Sequence, residues 1–166
     1  MPIKPNTCIE ISKEDIKFSA AHFTIFSATE RERLHGHNFK VSLCLTAEVG
    51  ENGMCFSYVE IKRRLRTLVD TLDEYTLLPQ LSPYLEIAQE GDQYRVNFNG
   101  RSLFFPVEDT QLLPLRNTTV EEFARYLLER LLGDDFFSAD KGITELVVKV
   151  SSGPGQCGSA CWTREA

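Results

Sequence analysis

Metal chemistry in this chain rests on three residues, His22, His35 and His37, which are also its only histidines. Three neutral imidazoles in tetrahedral array, with a fourth position open to water or a substrate oxygen, are the arrangement zinc uses for catalysis. His35 and His37 flank Gly36 at the head of an alternating stretch, residues 38–49, where Phe39, Val41, Leu43 and Leu45 fall on one face and Lys40, Ser42 and Thr46 on the other. Side chains two apart on a strand share a face, so both rings should point inward with the apolar set. Gly36 would let a ligand or another backbone come close. His22 belongs to a shorter alternating run, residues 16–24, on the same face as Phe18 and Ala20. A neighbouring place in the sheet would bring its ring to the same spot. Spacing alone leaves a second reading open, in which these are partly buried histidines satisfied by hydrogen bonds. The close pair Cys157 and Cys161 reads as packing thiols, since zinc bound only by cysteine normally takes four of them.

The elements that must position these groups follow from periodicity. After the turn signal Glu51-Asn52-Gly53, Ile61, Leu65, Leu68, Val69 and Leu72 recur at helical spacing, and Lys62, Arg63, Arg64 and Arg66 lie outside that stripe as a solvated face. Residues 94–105 hold Asn99-Gly100 between apolar-rich arms and predict a hairpin with a two-residue turn. A second helix begins near Thr118, with Val120, Phe123, Ala124, Leu127, Leu128, Leu131 and Leu132 on one face and Gly133 placed to end it. Glu121 follows Thr118 by three and Glu122 follows Thr119 by three, so either glutamate could complete a capping box. Residues 143–151 are β-branched and predict a strand, broken by Gly153-Pro154-Gly155 before a last short strand near Cys161 and Trp162. Strands, helix, hairpin, helix, strand is an α+β order, with two helices expected on one face of an antiparallel sheet.

The bulk properties bound the function. A chain of 166 residues, 42% hydrophobic and 25% charged, predicts one domain with one core. A net charge of −6 disfavours partners that need clustered positive charge, namely nucleic acid and anionic membrane. A small-molecule or protein partner is expected instead. Met1 to Asn6 lack the pattern of an export signal, no apolar run approaches the ~20 residues of a membrane span, and the expectation is a cytoplasmic protein. Five cysteines at scattered positions predict reduced thiols.

Phe18-Ser19-Ala20-Ala21-His22 followed by Leu34-His35-Gly36-His37-Asn38-Phe39 resembles the zinc-binding signature of the family of 6-pyruvoyl-tetrahydropterin and 6-carboxytetrahydropterin synthases. Weaker matches continue in order: Gly53-Met54 before Tyr58 and Lys62, Leu72-Asp73 before Leu77, and Thr119-Val120-Glu121 opening the second helix. The region of about 84–113 looks like an insertion within a single domain over 1–166. The resemblance implies a tunnelling fold, Zn2+ on His22, His35 and His37, a reduced pterin such as 7,8-dihydroneopterin triphosphate as substrate, and a homo-oligomer, usually a hexamer.

The chain also departs from that pattern. The cysteine that family members carry shortly before His-Gly-His is missing from residues 28–33, Glu74 stands where Leu-Asp-His is usual, and Ser152 stands where a glutamate anchors the pterin. One branch resembles the chain better, because it carries a glutamate before His-Gly-His and converts dihydroneopterin triphosphate to 6-hydroxymethyl-dihydropterin. By that resemblance Glu32 and Asp73 are the expected catalytic residues, and Thr119 and Glu121 the expected substrate contacts. An alternative for Glu32 is an exposed charge paired within Glu30-Arg31-Glu32-Arg33. Two other functions stay open at this point: 6-carboxytetrahydropterin synthase, and a non-catalytic zinc-containing binding module.

Overall fold

The computed structural model describes residues 6–138 and 141–165. Of the opening segment read for an export signal, only Asn6 falls within them. The order of elements is β1 (Asn6–His22), β2 (His35–Glu48), α1 (Tyr58–Asp70), β3 (Tyr75–Pro79), β4 (Glu86–Glu90), β5 (Gln93–Phe98), β6 (Arg101–Pro106), β7 (Thr110–Leu113), α2 (Val120–Leu132), α3 (Asp135–Ser138), β8 (Ile143–Gly153) and β9 (Gln156–Thr163). No helix among the described residues is long and apolar enough to cross a membrane.

Six strands form the main sheet in the order β7-β3-β1-β2-β8-β9. The four from β1 to β9 are antiparallel, while β3 runs parallel to β1 and β7 parallel to β3. The sheet is therefore mixed, where the sequence suggested a purely antiparallel one. Residues 75–79 and 110–113 are too short, and alternate too little, for periodicity to mark them as strands. The first strand begins ten residues before the expected start, because a register shift between Ser12 and Lys17 interrupts its alternation.

Both helices expected from the sequence lie on one face, α1 against β1 and α2 against β8 and β9, and a single turn, α3, follows α2. Ile61, Leu65, Leu68 and Val69 of α1 and Phe123, Ala124, Leu127, Leu128 and Leu131 of α2 are buried beneath the inward residues of β1 and β2. Phe18 stacks on Phe39 at 5.0 Å between ring centroids, and Phe123 meets both edge-on, at 5.6 and 4.9 Å. Full burial of each such ring contributes roughly 1.5–3 kcal/mol. Gly133 ends α2 in a right-handed conformation, φ −77°, so it acts as a weak helix former and not through a left-handed turn. The arginines of the basic run on α1 are ion-paired: Arg63 and Arg64 bind Glu60, Arg64 also binds Asp134, and Arg66 binds Asp15.

The region expected to be inserted forms a second sheet, order β4-β5-β6. Its hairpin turns at Asn99 and Gly100, both with positive φ (47° and 72°), as a type I′ turn requires. Val96, Phe98 and Phe105 from this sheet join Phe23, Ile25 and Leu78 in a second, smaller core. The chain then returns through β7 to the main sheet. One expectation fails: Cys8 and Cys44 form a disulfide across β1 and β2, leaving Cys55, Cys157 and Cys161 as free thiols. The antiparallel register sets Cys8 opposite Thr46 and Cys44 opposite Glu10, so the two are diagonal neighbours, a proximity that sequence spacing does not disclose.

Candidate functional site

Strand pairing brings the histidines together. In the β1–β2 register His22 stands opposite His35 and Ala20 opposite His37, which places all three rings on the face shared with Phe39. Their ligand atoms lie within 4.8 Å of one another, with His35 Nε2 and His37 Nε2 3.1 Å apart. His22 Nδ1 is 2.9 Å from the Thr118 carbonyl oxygen and His35 Nδ1 is 2.7 Å from that of Arg33. A carbonyl only accepts, so each Nδ1 donates and each Nε2 keeps a free lone pair. His22 is 4% exposed, and its Nε2 is buried with no hydrogen-bond partner. Burial pushes the His22 pKa from 6.5 down to about 4, against the hydrogen bond to Thr118, which works to raise it. A neutral ring with an unsatisfied inward lone pair fits a metal ligand, and the carbonyls behind two of the rings are the supports such ligands usually have. The donor set of three imidazoles suits zinc.

The rings open into a cleft of about 240 Å³ lined by His22, Thr24, Glu32, His37, Phe39, residues 118–121, Ser152 and Gln156. Glu32 faces it. Its Oε2 lies 3.9 Å from His35 Nε2 and accepts the Thr24 N–H at 2.9 Å, while the Glu32 N–H returns to the Thr24 carbonyl at 2.8 Å. Its carboxylate makes no ion pair with Arg31 or Arg33; Arg31 donates to the Glu32 backbone carbonyl instead. Burial works to raise the Glu32 pKa, but hydrogen bonding from Thr24, helped by electrostatic attraction to His35 and His22, outweighs it and holds the group below the usual carboxylate value.

Thr119 caps α2, its hydroxyl accepting the Glu122 N–H at 3.4 Å, and the Glu122 carboxylate reaches the Arg116 N–H at 2.7 Å. The local capping work thus falls to Glu122, and Glu121 lines the cleft. The α2 terminus is pressed against β9: a Cβ on Gly158 would come within 2.7 Å of Glu121 N and of the Val120 carbonyl carbon. Asp73 is not brought into the cleft. Its carboxylate accepts the Ser19 N–H at 2.6 Å, and the next residue, Glu74, donates its N–H to the Ser19 carbonyl at 2.7 Å, so this corner clasps the last part of β1.

Several residues that line or support the cleft escape sequence reasoning. Thr118 is fully buried, donates its hydroxyl to the Phe23 carbonyl at 2.8 Å and receives His22 on its own carbonyl. Asn117 accepts the Ile25 N–H and donates to the Ile25 carbonyl, at 3.0 and 2.8 Å. Gln156 donates to the Ser152 hydroxyl at 2.8 Å, at the place read as the lost anchor glutamate. Only Ser152 carried a signal, through the family motif. Thr118 and Asn117 act through contacts to a distant segment, and Gln156 through a contact across the β8–β9 turn.

A family model described as 6-pyruvoyl tetrahydropterin synthase matches residues 10–159. A Methanocaldococcus jannaschii protein assigned as a 6-carboxy-5,6,7,8-tetrahydropterin synthase is 25% identical over 150 residues, covering 90% of each chain. The crystal structure of 6-pyruvoyl tetrahydropterin synthase from Plasmodium vivax is 26% identical and superposes with a TM-score of 0.91 over 96% of this chain and 99% of its own. The same figures hold for a variant of that enzyme in which a glutamate described as catalytic is replaced by alanine. The Plasmodium falciparum synthase, at 24% identity and a TM-score of 0.90 with the same coverage, shares the fold. With both histidine segments inside the matched residues and the fold superposed almost end to end, this chain belongs to the 6-pyruvoyl tetrahydropterin synthase family.

Proposed function

We propose that this chain is a zinc-dependent lyase acting on 7,8-dihydroneopterin triphosphate and releasing 6-hydroxymethyl-dihydropterin. The observation that carries the reading is the Glu32 carboxylate, 3.9 Å from His35 Nε2, in a cleft that no cysteine lines among the described residues. His22, His35 and His37 would hold the ion. Zinc so bound supplies positive charge that eases loss of a nearby hydroxyl proton.

The chain's own groups do the rest. Glu32, held ionised by Thr24, is in the proton-accepting form at neutral pH. It takes the proton of the second side-chain hydroxyl. That oxygen becomes a carbonyl as the bond between the first two side-chain carbons breaks, and the electron pair passes into the conjugated pterin ring. The first carbon is then reprotonated, with protonated Glu32 as the donor, and glycolaldehyde triphosphate leaves. Glu121 and Thr119, with Ser152 and Gln156, line the cleft and are the groups that would hold the ring. The P. vivax enzyme, which also relies on a catalytic glutamate, supports a carboxylate in this role. A homo-oligomer, by resemblance a hexamer, belongs to the same reading. The outer edges of β7 and β9 have no strand partner among the described residues, and such edges invite pairing with another copy.

A second reading, 6-carboxytetrahydropterin synthase, is favoured by the assignment of the M. jannaschii relative. Product analysis separates the possibilities. Incubation of the zinc-loaded protein with 7,8-dihydroneopterin triphosphate is expected to give 6-hydroxymethyl-dihydropterin. A 6-carboxy product would establish the second reading, and tight pterin binding without turnover would make the chain a binding module.

A further inference from the structure

We infer that Arg31 is a positioning residue through which the β4-β5-β6 sheet holds Glu32 at the metal site; the inference rests on Glu32 being the base. Glu32 lies outside the long strands, on the connection between β1 and β2, so something other than the main ladder must fix it. The fixing contacts are on either side of Arg31. Its backbone forms an isolated antiparallel bridge with Ile25, and its guanidinium donates to the Glu32 carbonyl at 2.7 Å. The same guanidinium lies over two rings, Phe23 at 4.8 Å and Phe98 at 5.6 Å from the centroids. Phe23 directly follows His22. Phe98 is the last residue of β5, beside the Asn99-Gly100 turn, and is only 6% exposed. A planar cation held between two aromatic rings keeps its fork in one orientation, which a flexible ammonium would not. The second core therefore stands behind one end of the loop, and Thr24 receives the Glu32 carboxylate at the other.

The chemistry gives this arrangement a purpose. A general base must sit within hydrogen-bond reach of its proton, and a displacement of about 1 Å costs on the order of 10²-fold in rate. Arg31 contacts neither the cleft nor the histidines, so its influence on the reaction passes through Glu32.

The test is a double-mutant cycle on the full-length, zinc-loaded protein. Arg31→Met is expected to lower kcat by about 10- to 100-fold with KM and zinc content unchanged. In a Glu32→Gln background the same change should cost nothing further. Arg31→Lys should recover only part of the loss. Amide hydrogen exchange gives a readout independent of turnover: the Thr24 N–H should exchange faster in Arg31→Met and in Phe98→Leu, and at the parent rate in Phe104→Ala, whose ring is 56% exposed on the same sheet. Additive losses in the cycle, or parent-like kcat and Thr24 exchange in Arg31→Met while Glu32→Gln is impaired, overturn the positioning role alone. Glu32→Gln turning over at the parent rate overturns both this role and the assignment of the base.

Discussion

The two sides of the cleft are built in different ways. The histidine side is two paired strands whose register sets ring against ring, with His22 buried and Phe39 beneath it. The Glu32 side is a connection between strands, partly exposed, held by a few hydrogen bonds and by the small sheet whose apolar residues build the second core. A ligand set that must meet one ion from several directions gains from a rigid ladder. A base that must take up a proton and release it can stand on a loop, provided the loop has a fixed resting place.

The sharpest way to break this comparison is at the strands. Changing His35 and His37 together to Ala should abolish stoichiometric zinc, measured by metal analysis of the purified protein, because a single imidazole cannot hold a tetrahedral site. One zinc per chain persisting in that variant would remove the metal site from its proposed place. Next in size, Glu32→Gln should keep its zinc while activity drops by about 10²- to 10⁴-fold, the range typical of a general base. The strand side would then be shown intact while the loop side fails.

A third effect belongs to His22. Its folded pKa, about 4, lies below its ordinary 6.5, so between these values the unfolded state binds more protons than the folded one. Stability of the metal-free chain is therefore undiminished above pH 6.5 and falls as pH drops toward 4, by about 3 kcal/mol in total. Urea melts of metal-free protein across that window should show the loss, and His22→Gln should flatten it. The smallest effect concerns Asp73. With its carboxylate on the Ser19 N–H and outside the cleft, Asp73→Asn should lower stability by about 1 kcal/mol or less and leave kcat and zinc within a few-fold of the parent. A tenfold or larger fall in kcat would return Asp73 to the catalytic machinery.

The same contrast explains what could be read from the residues. The strands around the histidines were legible because burial on one face imposes a period of two, and Phe18, Ala20 and His22, like Phe39, Val41 and Leu43, obey it. The hairpin was legible because Asn99-Gly100 satisfies a turn that few other pairs satisfy. Glu32 was found only through a motif, since nothing in Glu30-Arg31-Glu32-Arg33 says which charge turns inward. The place of Thr118 behind His22, and the role of Asn117 altogether, stayed invisible, because they depend on backbone groups near His22 that only the fold brings close, and Gln156 carried no motif. The parallel strands β3 and β7 were missed for a related reason: pairing between distant, short segments leaves no local trace.

Gly158 has a consequence for how such a cleft can diversify. Where β9 meets the start of α2, main chain touches main chain with no side chain between, and even a methyl group at position 158 would force the two apart. The spacing of that wall is therefore independent of which residues decorate it. Substitution at Thr119, Glu121, Ser152 or Gln156 changes what the wall can recognise without changing where it stands, so a new ring system can be accommodated by exchanging functional groups on an unmoved frame.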